Sequence, residues 1–236
     1  MATHHVIQAA LQSAVDDGVF PGAQLAVRLR GELLCISAGQ ISSEPPGLPV
    51  QATTMYDLAS LTKPLVTVTS VLLLIQHAKV ALGDTVQEVL AELQGTPIGQ
   101  ATVRDLLTHR SGLPGWRPYY MQLDARGMVS GLPGGDQPAK HYVLEMIRDE
   151  PLIYVRGERS LYSDLGFMLL GFLVERLSGM ALDLWCEEAI VRPLQADPMM
   201  FRPMGRRAQS DVVRPPVDIS RIAPSEQDEW RNRLLR

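Results

Sequence analysis

The chain has 236 residues, of which 46% are hydrophobic and 20% are charged. This length suits one large domain or two small ones, and the apolar content is enough for a sizeable core. The net charge is -4 at pH 7 and the arginines are scattered, so the chain lacks the basic surface that binding to a phosphate backbone requires. We therefore expect a soluble globular protein that binds no nucleic acid.

The first residues carry no pattern of a signal peptide. Residues 1–5 contain neither a basic n-region nor an apolar h-region, so a cytoplasmic location is the default expectation. The longest apolar runs, residues 64–75 and 166–174, are shorter than the roughly 20 residues that a membrane-spanning helix needs. We interpret both runs as buried core helices and expect no membrane association.

A helix and a β-hairpin are predicted at the start of the chain. Residues 6–17 have apolar side chains at helical spacing and end before a glycine, which predicts the first helix. Residues 24–29 and 33–37 are rich in β-forming side chains and flank Arg30-Gly31-Glu32, a spacing typical of a hairpin. These runs would be the first two strands of an antiparallel sheet.

The tetrad Ser60-Leu61-Thr62-Lys63 stands at the start of an apolar helix that is predicted to reach about His77. Side chains three residues apart lie on one face of a helix, so Lys63 can reach the hydroxyl of Ser60. A weak alcohol nucleophile needs such a neighbouring base. The same pattern also fits a helix capped by Ser60, with Lys63 as a surface charge. From the tetrad alone, both interpretations stay open.

Five further helices are predicted before residue 192, at 86–93, 102–108, 140–149, 165–177 and 182–191. Thr102 and Asp105 have the spacing of a capping box at the start of one of them.

Turns and loops separate these helices. Residues 109–115 are predicted to form a turn, and residues 127–138 a surface loop rich in glycine and proline. From Pro193 onward, proline and arginine dominate, and we assign no regular structure.

The two cysteines give no sign of a redox or metal site. Cys35 lies in a strand-like run and Cys186 in a helical run, without a C-x-x-C motif or paired histidines. We expect two buried thiols, no metal and no cofactor.

Three motifs in the chain resemble one family. They are Tyr56-Asp57-Leu58-Ala59-Ser60-Leu61-Thr62-Lys63, Leu106-Leu107-Thr108-His109-Arg110-Ser111-Gly112-Leu113, and Tyr162-Ser163-Asp164 followed by Gly166-Phe167-Met168-Leu169-Leu170-Gly171. In this order they resemble the serine β-lactamase and penicillin-binding-protein superfamily. The branch is the class C-like one, with its related esterases and D-amino-acid-releasing peptidases.

The resemblance implies an α/β (α+β) fold of the β-lactamase/transpeptidase type, in which helices flank an antiparallel sheet and a mostly helical subdomain is attached. We expect residues 1–236 to form a single domain. Residues 1–78 and about 178–236 would belong to its α/β part, and residues about 79–177 to its helical subdomain.

The resemblance also implies catalytic roles. Ser60 would be the nucleophile, Lys63 the base or electrostatic partner, and Tyr162 the general base and acid. A tyrosine hydroxyl can carry protons in this way only if a neighbouring positive charge, here Lys63, lowers its pKa. The alternative for Tyr162 is a half-buried aromatic residue with a satisfied hydroxyl.

Two residues near these motifs need separate interpretations. Asp164 stands where β-lactamases of this branch usually have an asparagine, and an ionised aspartate cannot donate a hydrogen bond to a substrate carbonyl. Asp164 is therefore either a substrate-binding residue of a site that favours esters over β-lactams, or a cap on the next helix. His109 falls in a motif whose role in the family is packing and loop shape, and we expect no catalytic role for it.

A third family element is absent from the sequence. Members of the family usually have K-T-G, K-S-G or H-x-G on an edge strand near the C-terminus. The resemblance implies that this strand also supplies one of the backbone N–H donors of the oxyanion hole. No lysine or histidine in this chain begins such a triplet. We therefore expect a C-terminally truncated chain that lacks the C-terminal sheet strands and is weakly active or inactive alone.

The sequence leaves two functional hypotheses. The first is a serine hydrolase that acts through an acyl-enzyme on a small-molecule ester, amide or β-lactam. The second is a non-catalytic remnant that serves as a binding module, or as half of a complex with a separate C-terminal fragment. A homo-oligomer is a further assembly that the sequence allows.

Two other classes of hydrolase are excluded by their missing motifs. An α/β-hydrolase is excluded because no G-x-S-x-G motif occurs, and a metallohydrolase is excluded because no H-E-x-x-H motif occurs.

Overall fold

The computed structural model describes residues 2–43, 47–126, 128, 136–196, 199, 201 and 222–224. The described residues fall into two units. The first contains those up to Ala59 together with residues 222–224, and the second contains those from Ser60 to Phe201. The predicted division of a single domain into an α/β part and a helical subdomain stays a prediction.

A helix and a hairpin make up most of the first unit, as the sequence predicts. Helix α1 (Ala2–Asp16) packs against the hairpin of strands β1 (Gly22–Leu29) and β2 (Glu32–Gly39). The strands are antiparallel, with Leu29 paired to Glu32 at the turn. Arg30 and Gly31 between them both have positive φ, at 51° and 90°, as a tight hairpin turn requires.

Two features of this unit differ from expectation. Cys35 on β2 is exposed, so the prediction of a buried thiol is wrong for this residue. Cys186 is buried, as predicted. The reason is that a two-stranded hairpin leaves much of its surface uncovered.

A short parallel pair of strands, β3 (Met55–Tyr56) with β4 (Ile222–Ala223), was also not predicted. Most of the region after Pro193 lies outside the described residues.

The second unit is helical, and the start of its first helix is irregular. A 3₁₀ turn (Ala59–Leu61) leads into a π-helical segment (Lys63–Val68), which continues as α2 (Thr69–Gln76). Pro64 has no N–H to donate, and its carbonyl accepts a hydrogen bond of 3.0 Å from the hydroxyl of Thr69. An ordinary α-helix was predicted here, and the π-helical segment is a type of irregularity common at functional sites.

The remaining helices follow the predicted order with small differences. They are α3 (Val86–Val89), α4 (Val103–Leu107), α5 (Tyr119–Ala125), α6 (Asp136–Arg148), α7 (Asp164–Ser178), α8 (Leu182–Cys186) and α9 (Arg192–Leu194). Helix α5 was not predicted. The Thr102–Asp105 capping box at the start of α4 is confirmed. Most of the predicted loop at 127–138 lies outside the described residues.

Helix α7 is at the centre of the second unit and packs against α2, α3 and α4. It is a buried core helix, as predicted, with five completely buried side chains: Leu165, Leu169, Leu170, Leu173 and Val174. It ends at Gly179, whose φ of 70° terminates the helix in the left-handed conformation. This buried packing fixes the N-terminal end of α7, where Asp164 lies.

The apolar run at 64–75 is buried on one face only, because Val71 and Leu74 are in the core whereas Leu65 and Leu72 are exposed. The helical segment Ala59–Gln76 has 18 residues and a mean hydropathy of 1.4, and by length and composition it could cross a membrane. The helices Asp164–Ser178 and Leu182–Leu194, which are bent by 75° relative to each other, meet the same length and composition criterion for a membrane span when they are taken together. Core helices of soluble proteins meet the same criterion, and the expected cytoplasmic location and lack of membrane association stay predictions.

Candidate active site

Ser60 lies in the 3₁₀ turn, and Lys63 opens the π-helical segment that follows. The Nζ atom of Lys63 donates a hydrogen bond of 3.2 Å to the Oγ atom of Ser60. Ser60 is exposed, whereas only 15% of the Lys63 side chain is exposed. The alternative of Lys63 as a surface charge is therefore wrong, and the predicted contact between the two side chains is present.

The residue before Ser60 has an unusual backbone conformation. Ala59 has a φ of 44°, in the left-handed region that residues with a side chain seldom adopt. Its N–H donates a hydrogen bond of 2.8 Å to the Oδ1 atom of Asp57, which supports this turn. Such local strain is found preferentially at functional sites.

Asp164 is brought to Lys63 by the start of helix α7. Its Oδ1 atom lies 2.7 Å from Nζ of Lys63, which makes an ion pair. The cap of α7 is Ser163, whose Oγ accepts a hydrogen bond from the N–H of Gly166. The interpretation of Asp164 as the helix cap is therefore wrong, and its carboxylate is free to face Lys63.

Tyr162 completes the group of side chains around Lys63. Interactions of its hydroxyl with Lys63 and Ser60 lower its pKa below the usual value for tyrosine. The Nζ atom of Lys63 also lies 4.9 Å from the centroid of the Tyr162 ring. Tyr162 is 52% exposed, so the catalytic interpretation and the interpretation as a half-buried aromatic residue both stay predictions. The four predicted site residues thus lie together at one position on the second unit.

The turn at 109–115 supports the chain from Tyr162 to Asp164. The hydroxyl of Ser163 donates to the carbonyl of Pro114 (2.8 Å), and the N–H of Asp164 donates to the carbonyl of Gly115 (2.8 Å). The N–H of Ser163 donates to Nδ1 of His109 (3.1 Å). The second motif therefore contributes packing and backbone contacts, as the resemblance implies.

The charges at the site shift the pKa values of three residues. Burial alone would lower the pKa of Lys63, but hydrogen bonds to Asp164 and Tyr162 and the charge of Asp164 raise it. Hydrogen bonds from Lys63 and with Ser60 lower the pKa of Tyr162, against the effects of burial and of Asp164. Burial and the charge of Lys63 lower the pKa of His109, against the charge of Asp164, which favours the neutral form of its imidazole.

The sequence did not single out Phe167, which packs near the same group. The ring of His109 lies 4.9 Å from the Phe167 ring, and Nζ of Lys63 lies 5.8 Å from the centroid of that ring. Its position inside the third motif was the available signal. Among the residues that the structure describes, no three His, Cys, Asp or Glu side chains are grouped as ligands for a metal ion.

Comparison with known proteins gives a consistent family. The family model described as Beta-lactamase matches residues 7–215. A protein of Escherichia coli O157:H7 named "Putative D-alanyl-D-alanine carboxypeptidase" is 32% identical over 207 residues, which cover 82% of this chain and 46% of the relative. The chain thus spans less than half the length of this curated relative.

Solved structures agree with this match. SurE is similar with a TM-score of 0.70 and 27% identity, over 91% of this chain and 44% of that chain. The octameric penicillin-binding protein homologue from Pyrococcus abyssi is similar with a TM-score of 0.66 and 26% identity, over 82% of this chain and 43% of that chain. These similarities agree with a fold of the β-lactamase/transpeptidase type.

Proposed function

Because the chain belongs to the β-lactamase family, within the superfamily of serine β-lactamases and penicillin-binding proteins, we propose that it is a serine hydrolase that acts through an acyl-enzyme. Ser60 is the nucleophile, and Lys63 and Tyr162 control its proton. The observation that carries this proposal is the contact of Lys63 Nζ with Ser60 Oγ at 3.2 Å, beside the hydroxyl of Tyr162. This arrangement gives an exposed alcohol the neighbouring base that it needs.

The substrate we propose is a small uncharged ester, with amides and β-lactams as poorer substrates. The charge of Lys63 is balanced by Asp164 at 2.7 Å, so Lys63 is not available as a counter-ion for a substrate carboxylate. As an ionised carboxylate, Asp164 also has no proton to donate to a substrate carbonyl. Both facts favour an ester without a carboxylate over penicillins or peptides that end in D-alanine.

Labelling of the nucleophile tests the proposal. The full chain should react with a fluorophosphonate, and mass spectrometry should find the adduct on Ser60. The variant Ser60→Ala should lose the adduct, whereas Ser13→Ala, which removes an exposed serine on α1, should keep it. A folded chain that is not labelled at Ser60 would contradict the proposal and favour the alternative of a non-catalytic binding module or half-complex.

The substrate preference has its own test. Hydrolysis of p-nitrophenyl acetate should be faster than hydrolysis of benzylpenicillin or of a peptide that ends in D-alanyl-D-alanine. The carboxypeptidase name of the curated relative makes that peptide the strongest competing substrate. Faster release of D-alanine than of p-nitrophenol would overturn the preference for esters without contradicting the role of Ser60.

We also propose that the chain forms a homo-oligomer, because the penicillin-binding protein homologue from Pyrococcus abyssi is octameric. Light scattering of the purified chain measures the assembly directly. A mass of one 26.0 kDa chain across the concentration range would contradict this proposal.

A further inference from the structure

Trp116 is held close to the candidate active site by the residue before it. The carbonyl of Gly115 accepts a hydrogen bond of 2.8 Å from the N–H of Asp164, and Trp116 follows Gly115 directly. Trp116 is 53% exposed. A single exposed apolar residue is common on protein surfaces, so exposure alone assigns no role to this tryptophan. Its attachment to the site distinguishes it from Leu72, which is equally exposed but lies about three helical turns beyond Ser60.

The backbone after Trp116 is held by a largely buried carboxylate. Glu150, whose side chain is 12% exposed, accepts hydrogen bonds from Nε of Arg117 (3.1 Å) and from the hydroxyl of Tyr119 (3.0 Å). Tyr119 is itself buried and belongs to the hydrophobic core of the second unit. Trp116 therefore stands between two fixed points, Gly115 before it and the contacts of Glu150 after it. An ordered backbone reduces the entropy that binding to the exposed ring would cost.

The exposed ring of Trp116 has an aromatic neighbour. The centroids of the Trp116 and Tyr120 rings are 6.2 Å apart, and the planes of the rings are tilted by 50°. This distance is within the range of favourable aromatic pairs. Aromatic side chains of this kind line the sites in which proteins bind apolar groups. Because the ester that we propose as substrate is uncharged, burial of an apolar group is a main source of its binding free energy.

We propose that Trp116 is a specificity-determining residue, and that together with Tyr120 it binds an aromatic or other apolar group of the ester substrate. This inference rests on the proposed function and adds to it the kind of group that the ester carries. The group lies on the acyl side or on the alcohol side of the ester bond, and two isomeric esters distinguish these sources. Methyl phenylacetate carries its phenyl ring on the acyl side, and benzyl acetate carries it on the alcohol side.

Binding of these esters can be measured without turnover. The chain has three tryptophans, Trp116, Trp185 and Trp230, so protein with ¹⁵N at the indole nitrogen should give three N–H resonances. Trp116→Phe and Trp185→Phe assign two of them by their loss. In Ser60→Ala, which lacks the proposed nucleophile, at least one of the two aromatic esters should shift the Trp116 resonance at concentrations at which methyl acetate does not. The resonance of Trp185 is the internal control and should not move, because its indole nitrogen is buried.

Hydrolysis of the same esters connects Trp116 to specificity. In Trp116→Ala, we expect the KM for the aromatic ester that shifts the resonance to rise about 10-fold, because the phenyl ring loses its aromatic partner. The kcat should change less, since a contact made equally in the substrate complex and in the transition state affects KM. Trp116→Phe keeps an aromatic ring and should recover most of the loss. Leu72→Ala is the matched control, because it removes an equally exposed apolar side chain, and it should behave like the wild type.

Two results would overturn the inference. One is a Trp116 resonance that neither aromatic ester shifts more than methyl acetate does, a comparison made without catalysis. The other is an equal rise in KM for methyl acetate and for the aromatic esters in Trp116→Ala, which would mean that the substitution acts on the whole turn. A folded chain that hydrolyses none of these esters would contradict the proposed function instead, and the resonance of Trp116 alone would then decide whether its ring binds an apolar group.

Discussion

The imidazole of His109 stacks on the phenol ring of Tyr162, with ring centroids 4.6 Å apart. The Nδ1 atom of the same histidine accepts a hydrogen bond from the N–H of Ser163, and its carbonyl accepts one of 2.8 Å from the N–H of Leu161. One residue therefore holds three consecutive residues of the site segment. His109, for which no catalytic role is expected from the sequence, thus contributes to the position of Tyr162.

Replacement of His109 with asparagine isolates the contribution of its ring. His109 has a φ of 57°, and asparagine tolerates this left-handed conformation better than alanine does. We expect His109→Asn to slow fluorophosphonate labelling of Ser60 by about 10- to 100-fold, because Tyr162 loses its stacking partner and shifts. A labelling rate equal to wild type would exclude this positioning role, and complete loss of labelling in a folded variant would indicate a more direct one.

The pKa of His109 also predicts how stability depends on pH. Its pKa is lower in the folded chain than the usual value of about 6.5, so the unfolded chain binds more protons there. The free energy of unfolding should therefore be highest above the unfolded pKa and should fall as pH decreases through the window below about 6.5. Denaturant unfolding of wild type and His109→Asn at pH 8 and pH 5 measures this, and the decrease should be smaller in the variant. An equal decrease in both would exclude His109 as its source.

Replacement of Tyr162 with phenylalanine removes the hydroxyl and keeps the ring that stacks on His109. We expect labelling of Ser60 to slow by about 10²- to 10⁴-fold, the usual contribution of a general acid or base. The melting temperature should change little, because Tyr162 is 52% exposed. Tyr142→Phe, which removes a tyrosine hydroxyl on α6, is the matched control and should label like wild type. If Tyr162→Phe also labelled like wild type, Lys63 would be the better candidate for the base.

The contact between Ser60 and Lys63 could be predicted because it is local. Two side chains three residues apart on one helical face meet whatever the rest of the fold does. That holds even though the segment is a 3₁₀ turn followed by π-helix and not the expected α-helix. Helix α7 was also predictable, since its long apolar run could be stable only when buried.

The position of Tyr162 and Asp164 beside Lys63 could not be derived from spacing. It depends on the packing of α7 against α2 and on the turn at 109–115, which are tertiary contacts between distant parts of the chain. The family resemblance supplied Tyr162, and for Asp164 it left a substrate-binding residue and a helix cap as alternatives. An aspartate in place of the usual asparagine carries a charge, and the closest available cation in this site is Lys63 at 2.7 Å.

The approach of Gly115 to the site segment gives a last prediction. A Cβ atom on Gly115 would lie 2.9 Å from the carbonyl oxygen of Tyr162, and a backbone atom cannot move away as the end of a flexible side chain can. Gly115→Ala should therefore displace Tyr162 and slow labelling of Ser60 by about 10-fold or more. Gly83→Ala is the matched control, because a Cβ there meets no atom within 4 Å, and it should label like wild type. Circular dichroism should find both variants folded. Equal labelling rates for Gly115→Ala and Gly83→Ala would mean that the turn at 109–115 does not control the position of Tyr162.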